Sequence, residues 1–202
     1  MEALDSRTKK TLRLEKNECG FGYRDSIFKM KDGAHLIITR IAILLKKDGA
    51  VNIGYKDTRE YFKTRGIAKP TLEEARRAII DIRTAKLPDI SRVGTVGSFF
   101  KNPIIAKEKY AALAARYPEM PCFPQKDGRV KIPLAWILDK VCGLKGARHG
   151  RVGTHEKQPL AIVNYGGATA REIKDFADEL AEAVKEKTGI MPEYEVSLVG
   201  NW

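Results

Sequence analysis

The sequence is poor in the residues that most often build metal centres and redox motifs. Its 202 residues include only three cysteines and three histidines. The cysteines are far apart and form neither a Cys-x-x-Cys pair nor a cluster with histidine, so no zinc site or disulfide framework is indicated. We expect no bound metal, and reduced, buried thiols at Cys19, Cys122 and Cys142, as in a cytoplasmic protein.

Long apolar runs are also missing from the chain. Residues 1–16 are charged and polar, without the apolar centre of a signal peptide. No apolar stretch approaches the roughly 20 residues that span a bilayer as a helix. The sequence therefore predicts a cytoplasmic protein with no membrane partner.

Acidic residues are fewer than basic ones. The sequence has 37 Lys and Arg and 26 Asp and Glu, which gives a formal net charge of +11. Such an excess favours an anionic partner, which is nucleic acid, an acidic surface or a phosphorylated small molecule. The basic residues are spread along the chain, and no basic run interleaved with aromatic residues marks a nucleic-acid surface. Charge alone leaves the choice of partner open.

The chain does contain the composition and patterns of a mixed α+β protein, with 43% hydrophobic residues. Capping boxes at Thr71–Glu74 and Thr169–Glu172 predict the starts of two helices. Apolar periodicity or a starting proline predicts two more helices, from Lys107 to Tyr117 and from Pro133 to Gly143. Alternating or β-branched runs predict strands at residues 11–14, 35–45, 159–164 and 193–199, the second of them closing in a turn at 47–49.

The best candidate for chemistry is the stretch from Gly94 to Pro103. Its two glycines, Gly94 and Gly97, predict a tight loop, and Phe99 and Phe100 anchor that loop in a core. Ser98, Lys101 and Asn102 then point outward, where they offer a proton, a charge and a directional hydrogen bond to a polar ligand. An ordinary glycine-rich turn with a solvated tip fits the same residues equally well.

Two further basic positions are candidates for anion binding. Lys86 lies at the end of the helix that Thr71 begins, where it either reaches the same ligand or complements the helix dipole. Residues 144–153 combine three glycines with basic side chains, so their backbone either wraps a diphosphate or forms a solvated basic loop.

Several of these stretches together resemble the UDP-N-acetylenolpyruvoylglucosamine reductases of peptidoglycan synthesis, over residues 14–199. Residues 22–29 (Gly-Tyr-Arg-Asp-Ser-Ile-Phe-Lys) resemble the tyrosine-loop motif of the family's type I branch. Residues 83–88 (Arg-Thr-Ala-Lys-Leu-Pro) resemble its connector, and residues 97–103 resemble its catalytic-serine motif. The order and spacing of the three motifs make the resemblance specific.

The resemblance implies a reaction in which NADPH reduces FAD and the hydride then passes to the enolpyruvyl ether of UDP-N-acetylglucosamine. Ser98 would be the general acid that protonates the substrate carbon beside the carboxylate, and Glu195 would be the C-terminal catalytic glutamate. The remaining roles carried over by the resemblance are Tyr23 over the UDP group, Lys86 and Lys145 near the diphosphate, Asn102 and Gln158 on the uridine or sugar, and Arg83 and Gly97 at the cofactor.

Two positions depart from the family pattern. Phe123 stands where a substrate-binding tyrosine is common, and Ser197 stands where an arginine often follows the glutamate by two positions. Both changes remove a polar group, so they bear on substrate affinity rather than on the chemical step.

The resemblance also implies an incomplete enzyme, because the glycine-rich loops that hold the flavin belong to an N-terminal half that this sequence does not contain. Residues 1–88 would be the end of an FAD-binding α+β domain, residues 89–190 a substrate-binding α/β domain and residues 191–202 a strand that returns to the first. We expect the chain to be inactive without a separate N-terminal FAD-binding half. The alternative is a non-catalytic module that binds UDP-sugars or RNA through its basic surface.

Overall fold

The structure is a computed structural model that describes residues 1–47 and 49–200. It has two compact units, Met1–Asn52 and Ile53–Trp202. Helices and antiparallel sheets both contribute, which confirms the mixed α+β class expected from the sequence.

The first unit is built on a three-stranded antiparallel sheet of order β2-β1-β3. Its strands are β1 (Glu2–Asp5), β2 (Thr11–Arg13) and β3 (Leu36–Arg40), and two short 3-10 turns cover Ile27–Lys29 and Lys31–Gly33.

The strand predicted over residues 35–45 is shorter than expected. It ends at Arg40, which lies opposite Glu2 in the register of β1 and β3. Because β1 begins at Glu2, no β1 residue is available to pair with the backbone beyond Arg40, and Ile41 to Lys46 have no regular structure. The predicted turn at 47–49 includes Asp48, which lies outside the described residues.

The second unit begins with a helical pair and continues into two antiparallel sheets. Its helices are α1 (Lys56–Lys63), α2 (Leu72–Lys86), α3 (Lys107–Arg116), α4 (Leu134–Trp136) and α5 (Ala170–Thr188). Its strands are β4 (Gly94–Ser98), β5 (Ile104–Ile105), β6 (Phe123–Pro124), β7 (Val130–Lys131), β8 (Arg148–His149), β9 (Val152–Thr154) and β10 (Ala161–Asn164). The larger sheet has the order β4-β10-β9-β8 and the smaller has the order β5-β7-β6.

Helix α5 supplies much of the core of this unit. It starts at the predicted capping box, where the Thr169 hydroxyl accepts the N–H of Glu172, and it ends at Gly189 with a φ of 66°. Its buried face is Phe176, Ala177, Leu180, Ala181, Val184 and Thr188. That face packs with the buried residues of β9 and β10 and with Phe99 and Phe100, and so fixes the sheet end that carries Ser98.

The helix predicted from Pro133 is present but changes character along its length. After the single α-turn of α4, Ile137–Val141 form a π-helical turn that Cys142 caps, and Gly143 follows with a φ of 67°. Ile137 and Leu138 are the buried residues of this segment.

Candidate active site

Ser98 is the last residue of β4 rather than the tip of a tight loop. It lies opposite Ala161 in the antiparallel pairing of β4 with β10, and it is half-buried. The loop interpretation was wrong because the backbone of Gly94–Ser98 pairs with a strand more than 60 positions away. Gly97 keeps a special conformation inside the strand, with a φ of 79°, which favours glycine.

The two phenylalanines after Ser98 anchor this strand end, as the sequence predicted. Phe99 and Phe100 are 3% and 1% exposed. Their rings meet edge-on, with centroids 5.4 Å apart. Burying both side chains fixes the backbone direction on either side of Ser98.

The C-terminal segment runs alongside these residues and brings Glu195 to them. The Glu195 N–H donates to the carbonyl of Phe99 at 2.8 Å, and the Lys101 N–H donates to the carbonyl of Glu193 at 2.9 Å. The Lys101 ammonium also pairs with the Glu193 carboxylate at 3.0 Å. Glu195 therefore pairs with Phe99, the residue that directly follows Ser98, on a neighbouring antiparallel segment.

The pairing is shorter than the strand predicted over residues 193–199. Its β-bridge joins Tyr194 to Phe100, and the described residues after Glu195 do not continue it as a strand. Ser197, one of the two departures from the family pattern, lines a cavity of about 300 Å³ together with β4 and the first turn of α5.

Tyr194 was not singled out by the sequence, although it is the best-anchored residue of this segment. Its ring packs edge-on against Phe99, with centroids 5.3 Å apart, and its hydroxyl donates a hydrogen bond to Asp178 of α5. Burial and the hydrogen bond to the Asp178 carboxylate raise the pKa of Tyr194 well above its usual range. An aromatic residue at an inward position of the alternating tail was the signal that could have identified it.

Asp178 is held ionised by its partners. Burial opposes ionisation, but hydrogen bonds from Lys174 and Tyr194 outweigh it and lower the pKa of Asp178. Lys174, four positions earlier on α5, reaches the same carboxylate at 2.6 Å. The carboxylate thus connects the helix to the C-terminal segment.

Asn102 uses its side chain to hold the fold together. Its amide oxygen accepts the N–H of Leu134 at 2.9 Å, which satisfies a donor at the start of α4. This contact ties the segment after Ser98 to the helix that precedes the basic loop.

The two lysines expected near a diphosphate each face a carboxylate. Lys86 pairs with Asp57 of α1 at 2.7 Å, and Lys145 pairs with Asp139 of the π-helical turn at 3.4 Å. Both ammonium groups are partly exposed, and such pairs are worth little in water. An anion that binds to either lysine would therefore displace only a weak ion pair. Arg83 lies one turn before Lys86 on α2 and is exposed.

A cavity of about 470 Å³ lies between the connector after α2 and the basic loop. Its walls include Thr84 and Pro88 on one side and Gly146 and Lys157 on the other. Immediate sequence neighbours of Lys86, Lys145 and Gln158 therefore share one cavity.

Gln158 supplies an unsatisfied acceptor in this region. Its side-chain Oε1 is buried and has no hydrogen-bond partner within the part of the chain that the structure describes. Its carbonyl accepts the N–H of Ala161, the residue opposite Ser98. A buried acceptor without a donor is uncommon and suits a ligand that carries an N–H or O–H group.

Tyr23 belongs to the first unit, where it lies in a turn closed by pairing of Gly22 with Asp25. The Arg24 guanidinium lies 5.7 Å from the centroid of its ring, and Arg24 itself has a φ of 56°. Phe123, the other departure from the family pattern, is 52% exposed in β6, with the Lys131 ammonium 6.0 Å from its ring centroid.

The three cysteines are unpaired; Cys19 is buried, whereas Cys122 and Cys142 are half-buried. Within residues 1–47 and 49–200, no three His, Cys, Asp or Glu side chains come together as potential metal ligands. Among the helices in the same ranges, none has both the length and the apolar character needed to cross a bilayer.

Taken together, the second unit is a mixed α+β domain in which the C-terminal segment carrying Glu195 pairs with the residue that follows Ser98, at the end of a sheet. Residues 89–199 match the C-terminal domain of UDP-N-acetylenolpyruvoylglucosamine reductase. The chain belongs to this family.

Relatives of the same name match nearly the whole chain. The reductase of Chromobacterium violaceum is 41% identical over 177 residues, which cover 88% of this chain and 52% of that protein. Those of Flavobacterium johnsoniae and Porphyromonas gingivalis are 38% and 39% identical, over 98% of this chain and 58% and 59% of theirs. The chain therefore spans between about half and three fifths of the length of these relatives.

Proposed function

We propose that this chain supplies the substrate-binding and proton-donating part of an enzyme that reduces UDP-N-acetylglucosamine enolpyruvate to UDP-N-acetylmuramate in peptidoglycan synthesis. The observation that supports the proposal is the hydrogen bond from the Glu195 N–H to the carbonyl of Phe99, because it pairs Glu195 with the residue that directly follows Ser98. The names of the relatives support the same reaction.

The proton step belongs to Ser98. Its hydroxyl would donate a proton to the substrate carbon next to the carboxylate, with Glu195 on the neighbouring segment as the second catalytic group. Lys86 and Asn102 would support the negative charge that develops on the substrate carboxylate. The serine oxygen regains a proton from water after product leaves.

Binding of the UDP group would use the cavity beside the basic loop. Lys86 and Lys145 would exchange their weak carboxylate partners for the diphosphate. The buried Oε1 of Gln158 would accept a hydrogen bond from the uridine or sugar, with Asn102 near the same groups.

The residues around Gly97 fit a flavin as contact points. A methyl group added at Gly97 would meet no heavy atom within 4 Å among the described residues, so the backbone beside Ser98 is open to a flat ring. Arg83 would contribute a positive charge. Bound FAD, reduced by NADPH, supplies the hydride for this reaction. We further propose that turnover needs the polypeptide corresponding to the rest of the relatives.

A titration of the purified chain with UDP-N-acetylglucosamine, followed by backbone amide shifts, tests the binding part of this proposal. We expect weak binding with shifts at Gln158, and weaker binding still for Lys86→Met and Lys145→Met. Lys185→Met is the matched control, since this lysine also pairs with a carboxylate but lies on α5. Binding that responds equally to all three substitutions, or no binding at all, contradicts the assignment.

A further inference from the structure

The C-terminal segment is held to the rest of the unit by three different kinds of contact. The backbone of residues 193–195 pairs with that of residues 99–101, and Lys101 adds an ion pair to Glu193. The ring of Tyr194 packs against both Phe99 and Phe100, at centroid distances of 5.3 and 5.4 Å. The third contact is the hydrogen bond from the Tyr194 hydroxyl to Asp178.

The third contact is the one that reaches a different element. The first two join the segment only to residues 99–101, whereas Asp178 lies in the middle of α5, whose opposite face is buried in the core. The second oxygen of the Asp178 carboxylate accepts from Lys174 at 2.6 Å. The orientation of the carboxylate is thus set by the helix before the tyrosine binds to it.

The position of Tyr194 in the chain connects this network to the candidate active site. Tyr194 directly precedes Glu195, and Phe99, which its ring contacts, directly follows Ser98. A hydrogen bond to an ionised acceptor is stronger than one between neutral groups and is directional. A rotation of Tyr194 away from Asp178 would therefore move the backbone that carries Glu195.

We propose that Tyr194 is a positioning residue for the pair Ser98 and Glu195: its hydroxyl, bound to Asp178, fixes the C-terminal segment to α5 and keeps Glu195 beside Ser98. The chemical importance of this pair rests on the proposed function. The hydrogen bond from Tyr194 to Asp178 and its effect on the C-terminal segment do not depend on that function, so the experiment tests the hydrogen bond and the function separately.

The link is tested by amide hydrogen exchange in the purified chain. Tyr194→Phe keeps the ring and removes the hydroxyl, and we expect exchange of the Glu195 and Lys101 amides to become faster by roughly tenfold or more. Amides of β9 and β10 should keep their rates within about twofold, because their own pairing is untouched. The carboxyl carbon signal of Glu195 should also shift, which general loosening of the core would not cause.

Asp178→Asn is the second variant, since it keeps an oxygen acceptor and removes the charge. It should accelerate the same two amides less than Tyr194→Phe does, and the double variant should be no faster than the more severe single one, because both remove one interaction. Tyr117→Phe is the control, as it removes a hydroxyl that donates to the carbonyl of Lys187 instead.

Two results overturn the proposal: unchanged exchange at Glu195 in Tyr194→Phe, or equal acceleration of every amide in the unit. The affinity for UDP-N-acetylglucosamine, measured on the same samples, should be the same in Tyr194→Phe as in the original chain, because the lysines and Gln158 lie elsewhere. If the original chain binds no UDP-sugar, the proposed function fails while the exchange result for Tyr194 still stands.

Discussion

Ser98 combines partial burial with a position at the end of a strand, so its hydroxyl is oriented by the sheet while remaining accessible. A side chain in such a place needs no loop closure to become ordered. Its two neighbours differ in their surroundings. The backbone at Gly97 is open, whereas the buried ring of Phe99 fixes the backbone to the core.

Ser98→Ala tests the acid role in an enzyme completed with its flavin-binding part. We expect reduction of the flavin by NADPH to be unchanged and formation of UDP-N-acetylmuramate to fall by roughly 10²- to 10⁴-fold, since the general acid is lost. Rapid-mixing absorbance follows the first step, and product chromatography follows the second. Ser6→Ala, at an exposed serine bound to the carbonyl of His35, is the control. Normal turnover in Ser98→Ala would remove this residue from the acid role.

The raised pKa of Tyr194 predicts that the free energy of unfolding depends on pH in the alkaline range. Because the folded chain holds the phenol proton more tightly than the unfolded chain, this group stabilises the fold fully below its ordinary pKa of 10.0. That stabilisation is lost as the pH rises through the higher pKa of the folded state. The difference in unfolding free energy between the original chain and Tyr194→Phe should thus be constant from pH 7 to about 9 and shrink above about 10. Urea titrations measure it, and a constant difference up to pH 11 would contradict it.

At the scale of elements, two helices begin with the same capping box and have very different burial. Helix α5 buries six residues, whereas α2 buries Ala78 and leaves Leu72 and Ile79 62% and 49% exposed. A cap on α5 therefore stabilises the core, and a cap on α2 stabilises a helix that few contacts hold.

Thr169→Ala and Thr71→Ala measure this difference as a matched pair. We expect Thr169→Ala to lower the global free energy of unfolding by about 1 kcal/mol. Thr71→Ala should mainly accelerate amide exchange within α2, because this helix can open locally before the unit unfolds. Chemical denaturation and hydrogen exchange separate the two. Equal losses of global stability would show that α2 is as firmly packed as α5.

The same elements show how far the sequence predicts the fold. Both capping boxes were predicted, because a cap depends on residues only a few positions apart. The parts of the structure that depend on pairing between distant residues were not predicted. Gly94–Ser98 is a strand because β10 pairs with it, and the strand expected up to residue 45 ends where β1 provides no partner.

In the candidate site, too, the contacts between distant residues are the ones that were not predicted. The family resemblance suggested Ser98 and Glu195 as catalytic candidates, but nothing local indicated that the amide of Glu195 would bond to Phe99. Tyr194 was passed over because its importance comes from Asp178 on another element. Nor did anything local indicate that the amide oxygen of Asn102 would accept the N–H of Leu134.

At the scale of the whole molecule, the net charge of +11 makes RNA binding the second function to test. A module that binds RNA through several phosphates should lose affinity steeply and linearly with the logarithm of salt concentration, with a slope of roughly −0.7 per phosphate for a single strand. We expect instead weak RNA binding that vanishes at moderate salt, and UDP-N-acetylglucosamine binding that competes at fixed salt. Tight binding of polynucleotide without competition by the UDP-sugar would refute the reductase proposal for this chain.

The ion pair between Lys101 and Glu193 joins residues 92 positions apart. Contacts of such sequence separation form late in folding, because a long loop must close before they are gained. During translation, strand β4 leaves the ribosome long before the segment that pairs with residues 99–101 has been synthesised. The pairing of Glu195 with Phe99 can therefore form only after nearly all of these residues have been synthesised, so a nascent chain that ends before Glu195 lacks one half of the proposed proton-donating site.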